Sequence, residues 1–267
     1  MITKYPDGTS YADINNENYA YINKRINSYE DLWHLGQILE AANHNGVKPT
    51  VFIPNLPDAQ ADRRFSKTQS SGLKIVCNFL NQFDVLEYQI FHPHNPEVVE
   101  ALLNNCKIVS PALALTKALG HVPTQELILM SADAGGFKPL MKLCDEINWK
   151  GETMSGSKAR FWDGTKSILT QSIPDKDLTG KDVMIVDDLC MYGGTFKGLE
   201  QRLADKNVNM VYLYVSHLTI QNHFGSKTIF NTFDDVFTTN SKYETYSVEN
   251  RHGEPQAPPN LKLIEII

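Results

Sequence analysis

Residues 183–195 read VMIVDDLCMYGGT, a short apolar run that ends in two acids and continues through Gly-Gly-Thr. The run from Val183 to Val186 is rich in β-branched residues, which is typical of a strand buried on both faces of a parallel sheet. Apolar residues then recur at helical spacing from Phe196 to Leu203. We therefore predict a strand, a tight turn and a helix with Thr195 at its N-cap.

The turn between that strand and helix has the composition of a phosphate site. Gly193 and Gly194 permit a tight turn and present bare N–H groups at the positive end of the helix. Asp187 and Asp188 occupy the usual ligand crevice of an open α/β sheet, where they can accept hydrogen bonds from sugar hydroxyls or bind Mg²⁺ indirectly. The pattern predicts a ribose-phosphate cradle, and an acidic turn with ordinary capping is the alternative. Neither a Walker loop nor a G-x-G-x-x-G pattern occurs.

Charge, apolar runs and cysteine content limit the classes of ligand and the compartment that we expect for this protein. The 267 residues carry 25 Lys and Arg against 31 Asp and Glu, a net charge of -6, and no basic tract, so we expect a small ligand and no nucleic acid. No apolar run reaches the roughly 18 residues of a membrane helix, and a signal-peptide core is lacking at the start. Four scattered cysteines predict reduced thiols and a cytoplasmic protein, with Cys190 as a packing residue.

Strand-like and helix-like segments alternate along the chain, which predicts an α/β fold with mostly parallel sheets covered on both faces. Two α/β halves are expected, 1–108 and 109–267, with a mobile, irregular loop over 153–177. The final residues, 261–267, return to strand-like alternation and are expected to close a sheet edge. The predicted strands are 51–53, 86–91, 127–130, 183–186, 211–215 and 236–237, and the predicted helices are 31–43, 72–80, 137–147 and 195–206.

A family resemblance rests on two segments. Residues 183–195 resemble the phosphoribosyl-pyrophosphate loop of type I phosphoribosyltransferases and ribose-phosphate diphosphokinases. Residues 53–64, IPNLPDAQADRR, resemble the ATP-binding loop of the diphosphokinases alone. Adjacent guanidinium groups suit phosphate oxygens, although a surface salt-bridge cluster is the alternative. The resemblance implies that the ATP-binding residues of this loop are Gln60, Asp62, Arg63 and Arg64.

Two shorter segments of the N-terminal half extend the resemblance. Tyr5-Pro6-Asp7-Gly8 is similar to the segment that helps to hold adenine across a subunit interface, which makes Tyr5 and Asp7 candidate ATP-binding residues. The sequence FHPH at 91–94 stands where the family has Val-Asp-Leu-His, which makes His94 a candidate ligand of ATP and metal. A plain turn and a strand end are the alternatives.

Two further matches lie in the C-terminal half. The sequence SADAGG at 131–136 resembles a turn whose acid, here Asp133, supports Mg²⁺. Ser157-Lys158-Ala159-Arg160 resembles the mobile catalytic loop, which makes Lys158 and Arg160 candidate catalytic residues. The alternatives are a helix N-cap at Asp133 and a solvated pair of basic residues.

The resemblance covers nearly the whole chain. It implies two phosphoribosyltransferase-like, Rossmann-like domains, with an N-terminal half that is truncated relative to the family. It also implies a Mg²⁺-dependent reaction that transfers the β,γ-diphosphoryl group of ATP to the anomeric hydroxyl of a ribose 5-phosphate and releases AMP. A homo-oligomer, a dimer or hexamer, would follow from an adenine site shared between subunits.

The cradle departs from the family at two positions. Met191 and Tyr192 replace an acid and a threonine that would face a terminal phosphate, and they offer apolar, stackable surface instead. We hypothesise that the 5-phosphate carries an adenylyl group, so that the acceptor is ADP-ribose and the product serves to rebuild NAD. Ribose 5-phosphate, a type I phosphoribosyltransferase and a non-catalytic regulatory relative remain alternatives.

Overall fold

The computed structural model describes residues 2–14, 19–162, 167–220, 229–249 and 255–267. The chain divides into two units, Met1–Ser110 and Pro111–Ile266, with Ile267 grouped with the first. Each unit contains its own parallel sheet and its own apolar core.

The N-terminal unit is built around a parallel sheet whose described strands lie in the order β3-β4-β5-β6. A capping box between Ser28 and Asp31 begins its longest helix, and Leu35 and Leu39 of that helix are fully buried. The elements are β1 (Ile2–Lys4), β2 (Ser10–Ala12), β3 (Tyr21–Asn23), α1 (Tyr29–His44), β4 (Thr50–Ile53), α2 (Gly72–Leu80), β5 (Glu87–Phe91), α3 (Pro96–Leu102) and β6 (Cys106–Val109).

The C-terminal unit is built around a larger sheet whose described strands all pair in parallel. Their order, β16-β13-β12-β11-β7-β8, places β11 in the interior of the sheet. The elements are α4 (Ala112–Leu119), β7 (Leu127–Ser131), α5 (Ala134–Glu146), β8 (Glu152–Ser155), β9 (Ser157–Trp162), β10 (Ser167–Ser172), β11 (Asp182–Cys190), α6 (Gly194–Ala204), β12 (Met210–Leu218), β13 (Asp235–Thr239), β14 (Val248–Glu249), β15 (Pro255–Gln256) and β16 (Leu261–Ile264).

The sequence patterns correctly predicted the α/β fold and the mostly parallel sheets. Each strand and helix predicted in the sequence analysis is present in the structure. Residues 183–186 are buried, as expected for an interior strand that is covered on both faces. Leu199 and Leu203 of α6 belong to the same apolar core as Val183 and Ile185. The final strand, β16, lies at an edge of its sheet, which confirms the expected role of the tail.

The segment 153–177 differs from the irregular loop that was expected. Its first residues belong to β8, and β9 and β10 form an antiparallel hairpin in which Ser157 pairs with Ser172. Polar and apolar residues alternate from Lys158 to Phe161, but the alternation is too short to produce a sustained period. The mobility of this segment stays a prediction.

Candidate functional site

The turn between β11 and α6 depends on Gly193. Its backbone lies in the left-handed region at φ 77°, a conformation that costs residues with a side chain about 1–2 kcal/mol. A Cβ at this position would overlap Cδ1 and Cγ1 of Ile229. The turn therefore requires glycine for two independent reasons.

The predicted N-cap was wrong by two positions. Helix α6 begins at Gly194 with Gly193, not Thr195, as its N-cap, because the left-handed glycine turns the chain into the helix directly. Thr195 lies in the first turn instead. A Cβ on Gly194 would have nothing within 4 Å, and first-turn N–H groups have no partner inside a helix. This open helix end suits a phosphate.

The base of the β9–β10 hairpin contacts the same helix end. The Nζ of Lys158 donates a hydrogen bond to Oγ1 of Thr195 at 3.1 Å. Gln171 lies opposite Lys158 in the hairpin, and its Nε2 donates to the carbonyl oxygen of Thr195 at 2.6 Å. The predicted catalytic lysine therefore lies beside the predicted phosphate site. Arg160 belongs to β9, but its side chain falls outside the described part of the structure.

The acid pair lies inside β11, which continues to Cys190 rather than ending before the acids. The N–H of Asp188 donates to Oδ1 of Asp187 at 2.9 Å. Burial raises the pKa of Asp187 well above its usual range, and the charges of Asp188 and Asp133 raise it further. A cation or a donating sugar hydroxyl would stabilise the ionised carboxylate. The negative charge of this cluster therefore favours such a ligand.

Asp133 is the N-cap of α5. Its Oδ1 accepts hydrogen bonds from the N–H groups of Gly135 at 2.9 Å and Gly136 at 3.1 Å. The capping alternative is therefore realised in the structure, and α5 begins earlier than predicted because of it. The support of Mg²⁺ by this acid stays a prediction.

The side chains between the acids and the glycines differ in exposure. Cys190 is fully buried, and burial followed by the charge of Asp187 raises the pKa of its thiol to about 12. Cys190 packs in the core, as predicted. A thiol with such a pKa is not a nucleophile at neutral pH. Met191 is 48% exposed and Tyr192 76% exposed. Both offer apolar surface to a ligand at the cradle.

In the N-terminal unit, Asn95 contacts the acid of the 53–64 loop. The Asp62 side chain is 8% exposed, and its Oδ2 accepts a hydrogen bond from Nδ2 of Asn95 at 3.1 Å. Asn95 also caps α3, where its Oδ1 accepts from the N–H of Val98 at 3.4 Å. Because Asn95 directly follows His94, this one side chain joins the 53–64 loop to the histidine turn.

The other candidate residues of the 53–64 loop, Gln60, Arg63 and Arg64, are exposed. Arg63 points its guanidinium over the ring of Phe65, 5.7 Å from the ring centroid, and its Nε lies 3.8 Å from Oδ1 of Asp62. The Nε of Arg64 donates to the carbonyl oxygen of Gln69 at 2.9 Å, and Gln60 is exposed. Exposed guanidinium groups are accessible to a phosphate chain.

The remaining N-terminal candidates lie in turns. Tyr5 is 55% exposed and its ring packs against Tyr11, with ring centroids 5.5 Å apart. The Oδ1 of Asp7 accepts from both Oγ1 and N–H of Thr9, which lowers the pKa of Asp7. His94 is exposed in the turn that follows β5.

Sequence reasoning missed Asn95 and Gln171. The Asn95-Pro96 dipeptide is a recognisable start of a helix, so its capping role could have been found. Its bond to Asp62 and the bond of Gln171 to Thr195 join residues that are distant in sequence. Nothing in the local pattern indicates such contacts.

Within the described ranges, no three His, Cys, Asp or Glu side chains form a group that could hold a metal ion. Mg²⁺ usually keeps several waters and binds through one or two carboxylates together with substrate phosphates. The acids of β11 fit that mode. Across the same ranges, no helix combines the length and apolarity that a membrane span requires.

Comparison with known proteins relates the chain to one group of enzymes. No protein-family model matches it. It is 26% identical over 199 residues to a ribose-phosphate pyrophosphokinase of Saccharolobus solfataricus, a match that covers 72% of this chain and 66% of that protein. It is 24% identical to the ribose-phosphate pyrophosphokinase of Sulfurisphaera tokodaii, over 89% of this chain and 82% of the relative.

A solved structure agrees with these relatives. The crystal structure of phosphoribosylpyrophosphate synthetase from Mycobacterium smegmatis is similar over 100% of this chain and 85% of its own, with a TM-score of 0.79 and 14% identity. The chain has the phosphoribosylpyrophosphate synthetase fold. Ribose-phosphate pyrophosphokinase is another name for ribose-phosphate diphosphokinase, so the sequence relatives support the resemblance found in the motifs.

Proposed function

We propose that the protein is a Mg²⁺-dependent diphosphokinase that transfers the β,γ-diphosphoryl group of ATP to the anomeric hydroxyl of an acceptor with a ribose 5-phosphoryl group. The contact of Lys158 with Thr195 carries the proposal, because it joins a cation to the open helix end of the cradle. Similarity to ribose-phosphate pyrophosphokinases over most of the chain supports it.

The C-terminal unit would bind the acceptor. The N–H groups at Gly194 and Thr195 would hold the 5-phosphate, while Asp187 and Asp188 would accept hydrogen bonds from ribose hydroxyls. Lys158 would meet the charge that develops on the transferred group, which is the main contribution a protein makes to phosphoryl transfer.

The N-terminal unit would bind ATP. Arg63 and Arg64 are suited to the phosphate chain, Asp62 and His94 lie on the two segments that Asn95 joins, and Tyr5 lies on the turn proposed to contact adenine. His94 is the candidate ligand in this unit for Mg²⁺, which would supply positive charge against the phosphates when bound. Contribution of the adenine contact from a second subunit would require a homo-oligomer.

We propose ADP-ribose as the acceptor. Tyr192 and Met191 stand at the mouth of the cradle, where the exposed phenol ring provides a stacking surface for an adenine. Ribose 5-phosphate is the second candidate, and the names of the relatives favour it. The two acceptors share the ribose 5-phosphoryl group and differ in the adenylyl extension.

The test is AMP release from ATP and Mg²⁺ with each acceptor offered separately. We expect AMP to form with ADP-ribose at a higher kcat/KM than with ribose 5-phosphate. Equal or faster turnover with ribose 5-phosphate would reject ADP-ribose and keep the diphosphokinase. No AMP with either acceptor would reject the diphosphokinase and favour a phosphoribosyltransferase or a non-catalytic relative.

A further inference from the structure

Gln171 is a buried polar side chain that the proposed chemistry does not use. It is 8% exposed and lies near the end of β10. Its Nε2 donates to the carbonyl oxygen of Thr195 at 2.6 Å. Since buried polar side chains destabilise a fold unless they are hydrogen-bonded, this bond fixes where Gln171 lies.

Gly198 provides the space for that side chain. It lies inside α6, where glycine is less favourable than alanine. A Cβ on Gly198 would overlap Oε1 of Gln171 and lie 2.8 Å from its Cδ. The unfavourable glycine therefore has a packing reason, because it lets the Gln171 amide reach Thr195.

The hairpin pairing connects this contact to the catalytic candidate. Lys158 and Gln171 are directly opposite each other in β9 and β10. Both side chains reach Thr195, Lys158 through the hydroxyl and Gln171 through the carbonyl oxygen. Two bonds from facing strands thus fix the base of the hairpin to the first turn of α6.

We infer that Gln171 is a positioning residue that holds Lys158 beside the phosphate cradle and that Gly198 makes this possible. The inference rests on the proposed function for its catalytic consequence. Gln171 touches neither substrate nor reacting atoms in this scheme, because it acts through the hairpin and through Thr195. Loss of its bond would leave Lys158 attached to a hairpin base that opens more often.

A double-mutant cycle isolates the contact. The variants are Gln171→Ala, Gly198→Ala and the combination of both, compared with the wild-type protein. Gly198→Ala alone displaces the Gln171 amide, whereas in the Gln171→Ala background the new methyl group fills vacated space. Alanine also favours the helix over glycine, so the combined variant should melt no lower than Gln171→Ala.

Two measurements follow the hairpin and the reaction. The rate of tryptic cleavage after Lys158, identified by mass spectrometry, reports local opening. Each single variant should raise it roughly two- to tenfold, the equivalent of one hydrogen bond, while cleavage after Lys74 in the other unit stays unchanged. The kcat for AMP release should fall by at most the same factor, with little change in the KM for ATP.

The combined variant should match Gln171→Ala in both measurements. Single variants with wild-type cleavage, or effects of the two substitutions that simply multiply, would overturn the positioning role. Faster cleavage with unchanged kcat would overturn it as well, since the hairpin would then open without affecting Lys158. A wild-type protein that releases no AMP would refute the proposed function, and the cleavage rates would still decide whether Gln171 holds the hairpin.

Discussion

Replacement of Gly193 by alanine tests the reading of the cradle most directly. The left-handed backbone at φ 77° disfavours any residue with a Cβ by about 1–2 kcal/mol. The added methyl group also overlaps the Ile229 side chain, and forcing an extra methyl into a packed core typically costs about 1–3 kcal/mol. Together these effects predict a loss of roughly 2–5 kcal/mol in the free energy of unfolding of the C-terminal unit.

Gly194→Ala is the matched control for that variant. Gly194 is the next residue, its Cβ would have nothing within 4 Å, and alanine is favoured over glycine in a helix by roughly 0.5–1 kcal/mol. Differential scanning calorimetry should show a transition of Gly193→Ala that is about 4–20 °C lower than wild type. The Gly194→Ala transition should be unchanged or slightly higher. Equal melting of the two variants would refute the assigned turn geometry.

Four other substitutions test single features of the two units. Because its pKa is raised in the folded protein, ionisation of Asp187 destabilises the fold as pH rises above the ordinary value of 3.8. Asp187→Asn should therefore raise the melting temperature at about pH 7 and change it little near about pH 3. The opposite trend would contradict the raised pKa. Asn95→Asp keeps the oxygen that caps α3 but replaces the donor to Asp62 with a second carboxylate, so the KM for ATP should rise roughly two- to tenfold or more. An unchanged KM would show that this bond does not support ATP binding. Lys158→Ala should lower kcat about 100-fold or more with little change in ATP affinity measured by calorimetry, and a fall in affinity alone would contradict its assigned role. Tyr192→Ala should raise the KM for ADP-ribose about two- to tenfold, as expected for one lost stacking contact. The KM for ribose 5-phosphate should stay unchanged. Equal effects on the two KM values would argue against adenine stacking.

Long periodic segments were predictable because their pattern repeats several times. Helix α1 was placed within two residues at its start, and the buried run at 183–186 was recognised as an interior strand. Shorter elements such as α3, with seven residues, contain too few turns to produce a period. Helices α6 and α5 start earlier than predicted because Gly193 and Asp133 are their N-caps.

The candidate site also combines local features, which the sequence predicts, with long-range contacts, which it does not. The order of Asp187, Gly193 and Thr195 along one strand and one turn is local, so the sequence was sufficient to place these residues together. The bond of Lys158 to Thr195 spans 37 positions, and the bond of Asn95 to Asp62 spans 33. The family resemblance named Lys158, Thr195 and Asp62 as candidates, but it did not indicate Asn95 or which side chains meet.

By itself, the sequence determined the alternation of strands and helices, the glycine turn and the chemistry of the residues at the carboxyl end of β11. Each of these depends on neighbours within a few positions, where backbone preference and hydrophobic period act. Only the tertiary structure decided that the base of the hairpin rests on Thr195, that Gly198 faces Gln171, and that burial beside other acids raises the pKa of Asp187. Packing between distant segments sets those distances, and local sequence does not encode them.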